Sequence, residues 1–119
     1  MKIAISTQGN TAESPVDERF GRAKGFMIFD DETGSFAYLD NIQNLSAMQG
    51  AGIQSAKTII DSGATVLITG NVGPKAFTTL NAASVQIFCG ASGSVQDALS
   101  QYKAGTLKPA AGANVEGHW

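Results

Sequence analysis

One cysteine and one histidine are all this sequence offers of the strongest transition-metal ligands. A single cysteine excludes an internal disulfide. With no cluster of Cys and His at metal-site spacing, a structural zinc site is not expected. Charge is sparse: charged residues make up 15% of the chain and the net charge is −2. General nucleic-acid binders carry a strong basic excess, so that class is set aside. No apolar run approaches the roughly 20 residues that a membrane helix needs. Met1-Lys2 leads straight into Ile3-Ala4-Ile5, without the parts of a secretory signal. A cytoplasmic protein with no membrane or nucleic-acid partner is therefore expected. Catalytic signatures are missing too. There is no G-x-x-x-x-G-K-[ST] phosphate loop and no G-x-S-x-G elbow. The first apolar run carries no acid from which a two-metal site could start. A Ser-His-Asp triad would have to recruit His118, one residue from the last.

What is present is a globular composition, 43% apolar over 119 residues, enough for one domain with one core. The spacing predicts strands over Lys2 to Ser6, Phe26 to Phe29 and Ser35 to Asp40. The turn Asp31-Glu32-Thr33-Gly34 joins the last two as a hairpin. Ile53, Ala56, Ile59 and Ile60 recur at helical spacing, and Gly63 stands at the expected C-terminal cap. Val66-Leu67-Ile68 reads as a strand buried on both faces. Pro74 suits a first helical position, followed by Ala76, Phe77 and Leu80 on one face. Val85 to Phe88 reads as the last strand. Ser94 and Asp97 then form a capping box for a helix with Val95, Leu99 and Tyr102 inside. The expectation is an α/β fold: a mixed five-stranded sheet with three helices. The first three strands form an antiparallel meander and the last two add in parallel. Residues 1–108 form the domain, and 109–119 a glycine-rich flexible tail.

In open α/β sheets ligands sit beyond the carboxyl ends of the strands. Three loops should meet there: Ser6 to Asn10, with Thr7 and Gln8; Thr69 to Pro74, with Gly70, Asn71, Val72 and Gly73; and Cys89 to Ser94, with Gly90, Ala91 and Ser92. The last two open helices, whose first amides and dipoles favour an anion. The alternative is that these glycines only make tight turns. Arg19 and Arg22, the only arginines, could add charge to the same ligand, or could be solvated beside Asp17 and Glu18. Cys89 reads as a small hydrophobe. His118 is either a tail residue or a soft-metal ligand.

Four segments carry a resemblance: Phe20-Gly21-Arg22-Ala23 after Pro15-Val16-Asp17, Gly50-Ala51-Gly52-Ile53-Gln54, Gly70 to Phe77, and Gly90 to Val95. In this order and spacing the chain resembles the dinitrogenase iron–molybdenum cofactor biosynthesis family from residue 2 to about 108. It is most similar to small stand-alone members that carry a molybdenum–copper sulfide cluster. The resemblance implies a ribonuclease H-like fold and noncatalytic binding or carriage of a preformed metal–sulfur cluster, molybdenum–copper or of iron–molybdenum type. It also implies partnership with P-loop ATPases. Some relatives use a histidine before the first helix, whereas Asn41 to Gly52 has none. A cluster that brings its own sulfides needs no protein thiolate. Backbone donors, Arg19, Arg22 and an apolar wall from Val72 or Phe20 with Gly21 could hold it. Two other functions stay open: a regulatory module acting through an ATPase without metal, and an enzyme acting on a phosphorylated small molecule.

Overall fold

The computed structural model describes residues 1–41 and 51–113. Strands β1 (Lys2–Thr7), β2 (Gly25–Asp30) and β3 (Ser35–Asp40) come first. Helix α1 (Ala51–Asp61), β4 (Val66–Ile68), α2 (Pro74–Ala82), β5 (Gln86–Cys89), α3 (Val95–Lys103) and β6 (Lys108–Pro109) follow. A short 3₁₀ turn, Phe20–Arg22, lies between β1 and β2. The sheet order is β3-β2-β1-β4-β5-β6. β1 pairs antiparallel with β2 and parallel with β4, and β4 pairs parallel with β5. The meander and the parallel additions are thus as expected. The sheet has six strands, not five. β6 pairs antiparallel with β5 where the tail was expected to start, and the Ala110 N–H donates to the Ile87 carbonyl at 2.7 Å. His118 lies outside the described residues, as do 42–50 and the rest of 114–119.

Alternation along the strands divides the core into two. Ala4, Phe26, Ile28, Leu67 and Ile87 face α1 and α2, where Ala56, Ile59, Ala76 and Leu80 pack. Ile3, Ile5, Met27, Phe29, Val66 and Ile68 face α3, against Val95, Ala98 and Leu99. β1 carries apolar side chains on both faces because it has helices on both, so it reads as a continuous apolar run. No helix among the described residues is long and apolar enough to cross a membrane.

The loop after β1 lies back across the carboxyl edge of the sheet. The Asp17 N–H donates to the Ser6 carbonyl, Val16 to Gly93 and Asn71 to Glu18, at 2.8 to 2.9 Å. This close passage needs Gly70. A Cβ there would stand 2.8 Å from the Glu18 Cα and 2.9 Å from its carbonyl oxygen, both main-chain atoms that cannot swing aside. Gly70→Ala is expected to cost about 1–3 kcal/mol of stability through this overlap. The shift in urea midpoint at unchanged slope measures it.

Candidate functional site

The three expected loops do meet at one edge. The Ser6 hydroxyl donates to the Asp17 carbonyl at 2.7 Å and lies 2.8 Å from the Thr69 hydroxyl. The Gly90 N–H reaches the Gly70 carbonyl at 3.0 Å, and Ala91 that of Thr69 at 3.3 Å. These contacts tie the ends of β1, β4 and β5 into one surface.

At one of the two helices expected to attract an anion, the attraction is answered within the chain. The first amides of α3 are taken up by the protein. Val95 donates to the Ser14 carbonyl and Gln96 to that of Ala12, both at 2.9 Å. Ser94 and Asp97 close the reciprocal capping box, each bond at 3.0 Å. The Asp97 carboxylate is itself the anion at that terminus. Gly93, at φ 83°, makes the turn into the box, so its role is conformational. At α2, Pro74 has no N–H, and no acceptor for Lys75 or Ala76 N–H is found among the described residues.

Arg19 and Arg22, expected to add charge for the same ligand, do line this edge, together with Lys24. A cleft of about 400 Å³ is lined by Gln8, Asp17, Arg19, Arg22 and Lys24. Among the described residues lining it, three cations face one carboxylate. A second cleft of about 570 Å³ shares Gln8, Asp17 and Arg19, and adds Glu13, Glu18 and Ser94 among others. There the acids outnumber the single arginine. The groove therefore runs from a cationic half to an anionic half, and an anion belongs in the first.

Of the other expected residues, Phe20 and Val72 have no exposed surface. Phe20 stacks on Phe26 at 5.4 Å between ring centroids. Neither can wall a ligand while the core is closed, because their apolar faces are already used in packing. Thr7 is buried, and its hydroxyl closes a turn onto the Gly9 carbonyl at 2.7 Å. Gly21, Gly70 and Gly73 are buried, and Ala91 packs against the α3 face. Asn71 fixes Arg19 and its neighbours: its side-chain amide donates to the Glu18 carbonyl at 3.2 Å, and its carbonyl accepts from Phe20 N–H. Gly90 and Ser92 are exposed on the β5–α3 loop. Ser92 presents its carbonyl to Gln101 Nε2 at 3.0 Å. Gly90 has φ 83° and open space where a Cβ would stand.

Lys24 and Asp17 complete the groove. Lys24 follows Arg22 by two residues, and that spacing was the available signal. Asp17 is 5% exposed, and one oxygen accepts from Arg19 N–H at 3.0 Å. Burial raises its pKa above 3.8, partly opposed by that N–H and by the Arg19 charge. Cys89 is half-buried, and burial pushes its thiol up. Among the described residues no three His, Cys, Asp or Glu side chains converge as a metal site. The cleft presents cationic side chains and no cluster of thiolate, imidazole or carboxylate ligands among the described residues.

Residues 1–105 match the family described as dinitrogenase iron-molybdenum cofactor. The chain is similar to the apo form of the orange protein from Desulfovibrio gigas, at 39% identity and TM-score 0.93, over 96% of each chain. It is also similar to a putative NifB protein from Thermotoga, solved by NMR, at 33% identity and TM-score 0.85, over 98% of each. An uncharacterized protein of Methanocaldococcus jannaschii is 28% identical over 110 residues, 91% of this chain and 90% of that one.

The raised pKa of Asp17 has a definite consequence for stability. The folded chain binds this proton more tightly than the unfolded chain. The resulting stabilisation is fully present below the unfolded value of 3.8 and is lost as pH rises through the raised folded value. Asp17→Asn keeps an acceptor for Arg19 N–H and removes the titration. Urea midpoints between about pH 4 and 7 should fall less for the variant than for the parent chain. Parallel profiles would assign the pH dependence to other groups.

Proposed function

The chain belongs to the dinitrogenase iron-molybdenum cofactor family, and from that premise we propose that it is a noncatalytic binder or carrier of a preformed anionic metal–sulfur cluster. The cluster is its cargo, molybdenum-containing and in the simplest case molybdenum–copper. The observation that carries this reading is the cleft lined by Arg19, Arg22 and Lys24. Three cations around a small cleft suit a compact polyanion whose sulfides accept hydrogen bonds. Guanidinium groups offer several donors in a fixed plane, so they can grip two sulfide edges without bonding to metal. The orange protein, similar along almost the whole chain, has been solved in an apo form, as befits a protein that takes up a ligand.

Such a hold is electrostatic and partly exposed: the Arg19 side chain is 53% exposed. It is screened by salt and released without breaking a covalent bond. That behaviour suits a carrier better than a permanent cofactor site.

Purified protein mixed with tetrathiomolybdate and copper should carry colour through gel filtration at low salt and lose it as salt rises. Arg22→Ala and Lys24→Ala should each weaken retention about three- to tenfold, as expected when one charged partner is removed. Colour that never travels with the protein rejects this cargo. Retention that ignores both substitutions moves the cargo away from the cleft.

A further inference from the structure

Two buried polar side chains stand behind the cationic cleft without lining it. Asn41 follows β3, Ser55 lies on the inner side of α1, and both have no exposed surface. Burying an amide and a hydroxyl is unfavourable unless each is hydrogen-bonded. Here their partners are the main chain of the turn that carries the cations. Asn41 Nδ2 donates to the Ala23 carbonyl at 2.9 Å, and Asn41 N–H to the Lys24 carbonyl at 2.9 Å. The Ser55 hydroxyl accepts from Asn41 Nδ2 at 3.0 Å, and its one proton is shared between Asn41 Oδ1 at 3.3 Å and the Gly21 carbonyl at 3.4 Å. Of the four carbonyls from Gly21 to Lys24, those of Ala23 and Lys24 are thus held closely by this pair and that of Gly21 more loosely.

The turn needs outside support. It is one three-residue 3₁₀ turn, with internal bonds of 3.2 Å from Arg22 N–H and 3.4 Å from Ala23 N–H. Such turns have poor hydrogen-bond geometry and little stability alone. Arg22 leaves the chain between the held carbonyls of Gly21 and Ala23, and Lys24 at the last held carbonyl. Arg19 is fixed separately, through Asn71 and Asp17. The distance between the Arg19 charge and the Arg22–Lys24 pair therefore depends on how the turn is clamped.

We infer that Asn41 and Ser55 are positioning residues, which set the spacing of the three cations and so decide which size of anion the cleft prefers. This rests on the cargo reading above and adds a source for its selectivity. Neither residue touches the cargo. Each acts through the main chain of the turn, as support behind a binding group does.

The test uses tetrathiomolybdate as probe and molybdate as a smaller competing dianion of the same shape and charge. Ser55→Ala removes one oxygen. It should weaken tetrathiomolybdate binding about tenfold and reduce the preference for it over molybdate. Ser55→Thr, which keeps the hydroxyl, should restore the preference. A purely structural role would lower the melting temperature and leave the preference of the folded protein unchanged, and that result overturns the proposal. Asn41→Ser removes the clamp from the other side, carries the same expectation, and decides the matter if Ser55→Ala does not fold. Arg22→Ala separates the two ideas. If it weakens binding while the Ser55 and Asn41 variants match the parent chain, the cleft stands and the positioning role is wrong. If the parent chain holds no tetrathiomolybdate, with or without copper, the cargo reading fails and takes this inference with it.

Discussion

The segment from Ala12 to Arg19 is bound by its main chain across the carboxyl edge of the sheet, and the character of that edge follows from this one arrangement. Its carbonyls accept from the first amides of α3, and Val16 and Asp17 donate to Gly93 and Ser6. A helix N-terminus attracts anions only while its amides lack partners. Once Ala12, Ser14 and the Ser94–Asp97 box supply them, the dipole of α3 is answered from within the chain. The same segment brings the Glu18 backbone against Gly70, and it carries Asp17 and Arg19 into the groove. Where it leaves the edge, the chain turns through Phe20–Arg22 and presents the remaining cations.

The groove is therefore polarised along its length by side chains. Arg19 sits at the join of the two halves, with Asp17 beneath it. Its Nε lies 3.9 Å from Asp17 Oδ1, a loose pair at a half-open surface. Such a pair contributes little to stability, since an exposed guanidinium remains solvated. It leaves Arg19 able to turn toward a ligand. For the proposed polyanion, Glu13 and Glu18 would repel it from the other half and confine its favourable position to the smaller volume. Confinement by repulsion selects for size as well as for sign.

The sheet was legible in the sequence where local signals agreed. The Asp31–Gly34 turn sits between two runs of strand spacing, and β2 and β3 pair in the register this implies, Asp30 with Ser35. Ser94 and Asp97 were legible as a capping box because the motif is complete within four residues. β6 was not legible. It is two residues long, includes Pro109 and borrows all its pairing from β5. The glycine loop before α3 was legible as a place but not as a chemistry. What answers the α3 amides lies more than eighty residues upstream, at Ala12 and Ser14, and no local pattern in Gly90 to Ser94 records it. Phe20 and Val72 fail as an apolar wall for a related reason. Hydrophobicity marks a residue for burial, and only packing shows whether a ligand or the core does the burying. The arginine pair was legible because charge close in sequence on a short loop stays close in space.

A binding surface made this way has a particular kind of strength. Thiolate or imidazole ligands would fix a cluster through metal bonds, and release would need protonation or exchange. Cations and a polar rim give many weak contacts. Each is partly screened, and their sum depends on geometry held by groups that do not touch the ligand. Affinity then falls steeply when spacing changes slightly, because the contacts act together on one rigid polyanion. On the proposed reading, the burial of Asn41 and Ser55 serves that geometry. Apolar residues there would leave the Gly21 and Ala23 carbonyls without these partners. The polar pair keeps a turn with little stability of its own in one conformation. On the inferred reading, the hydrogen bonds that offset the cost of burying polarity there also fix the distance between the charges in front of it.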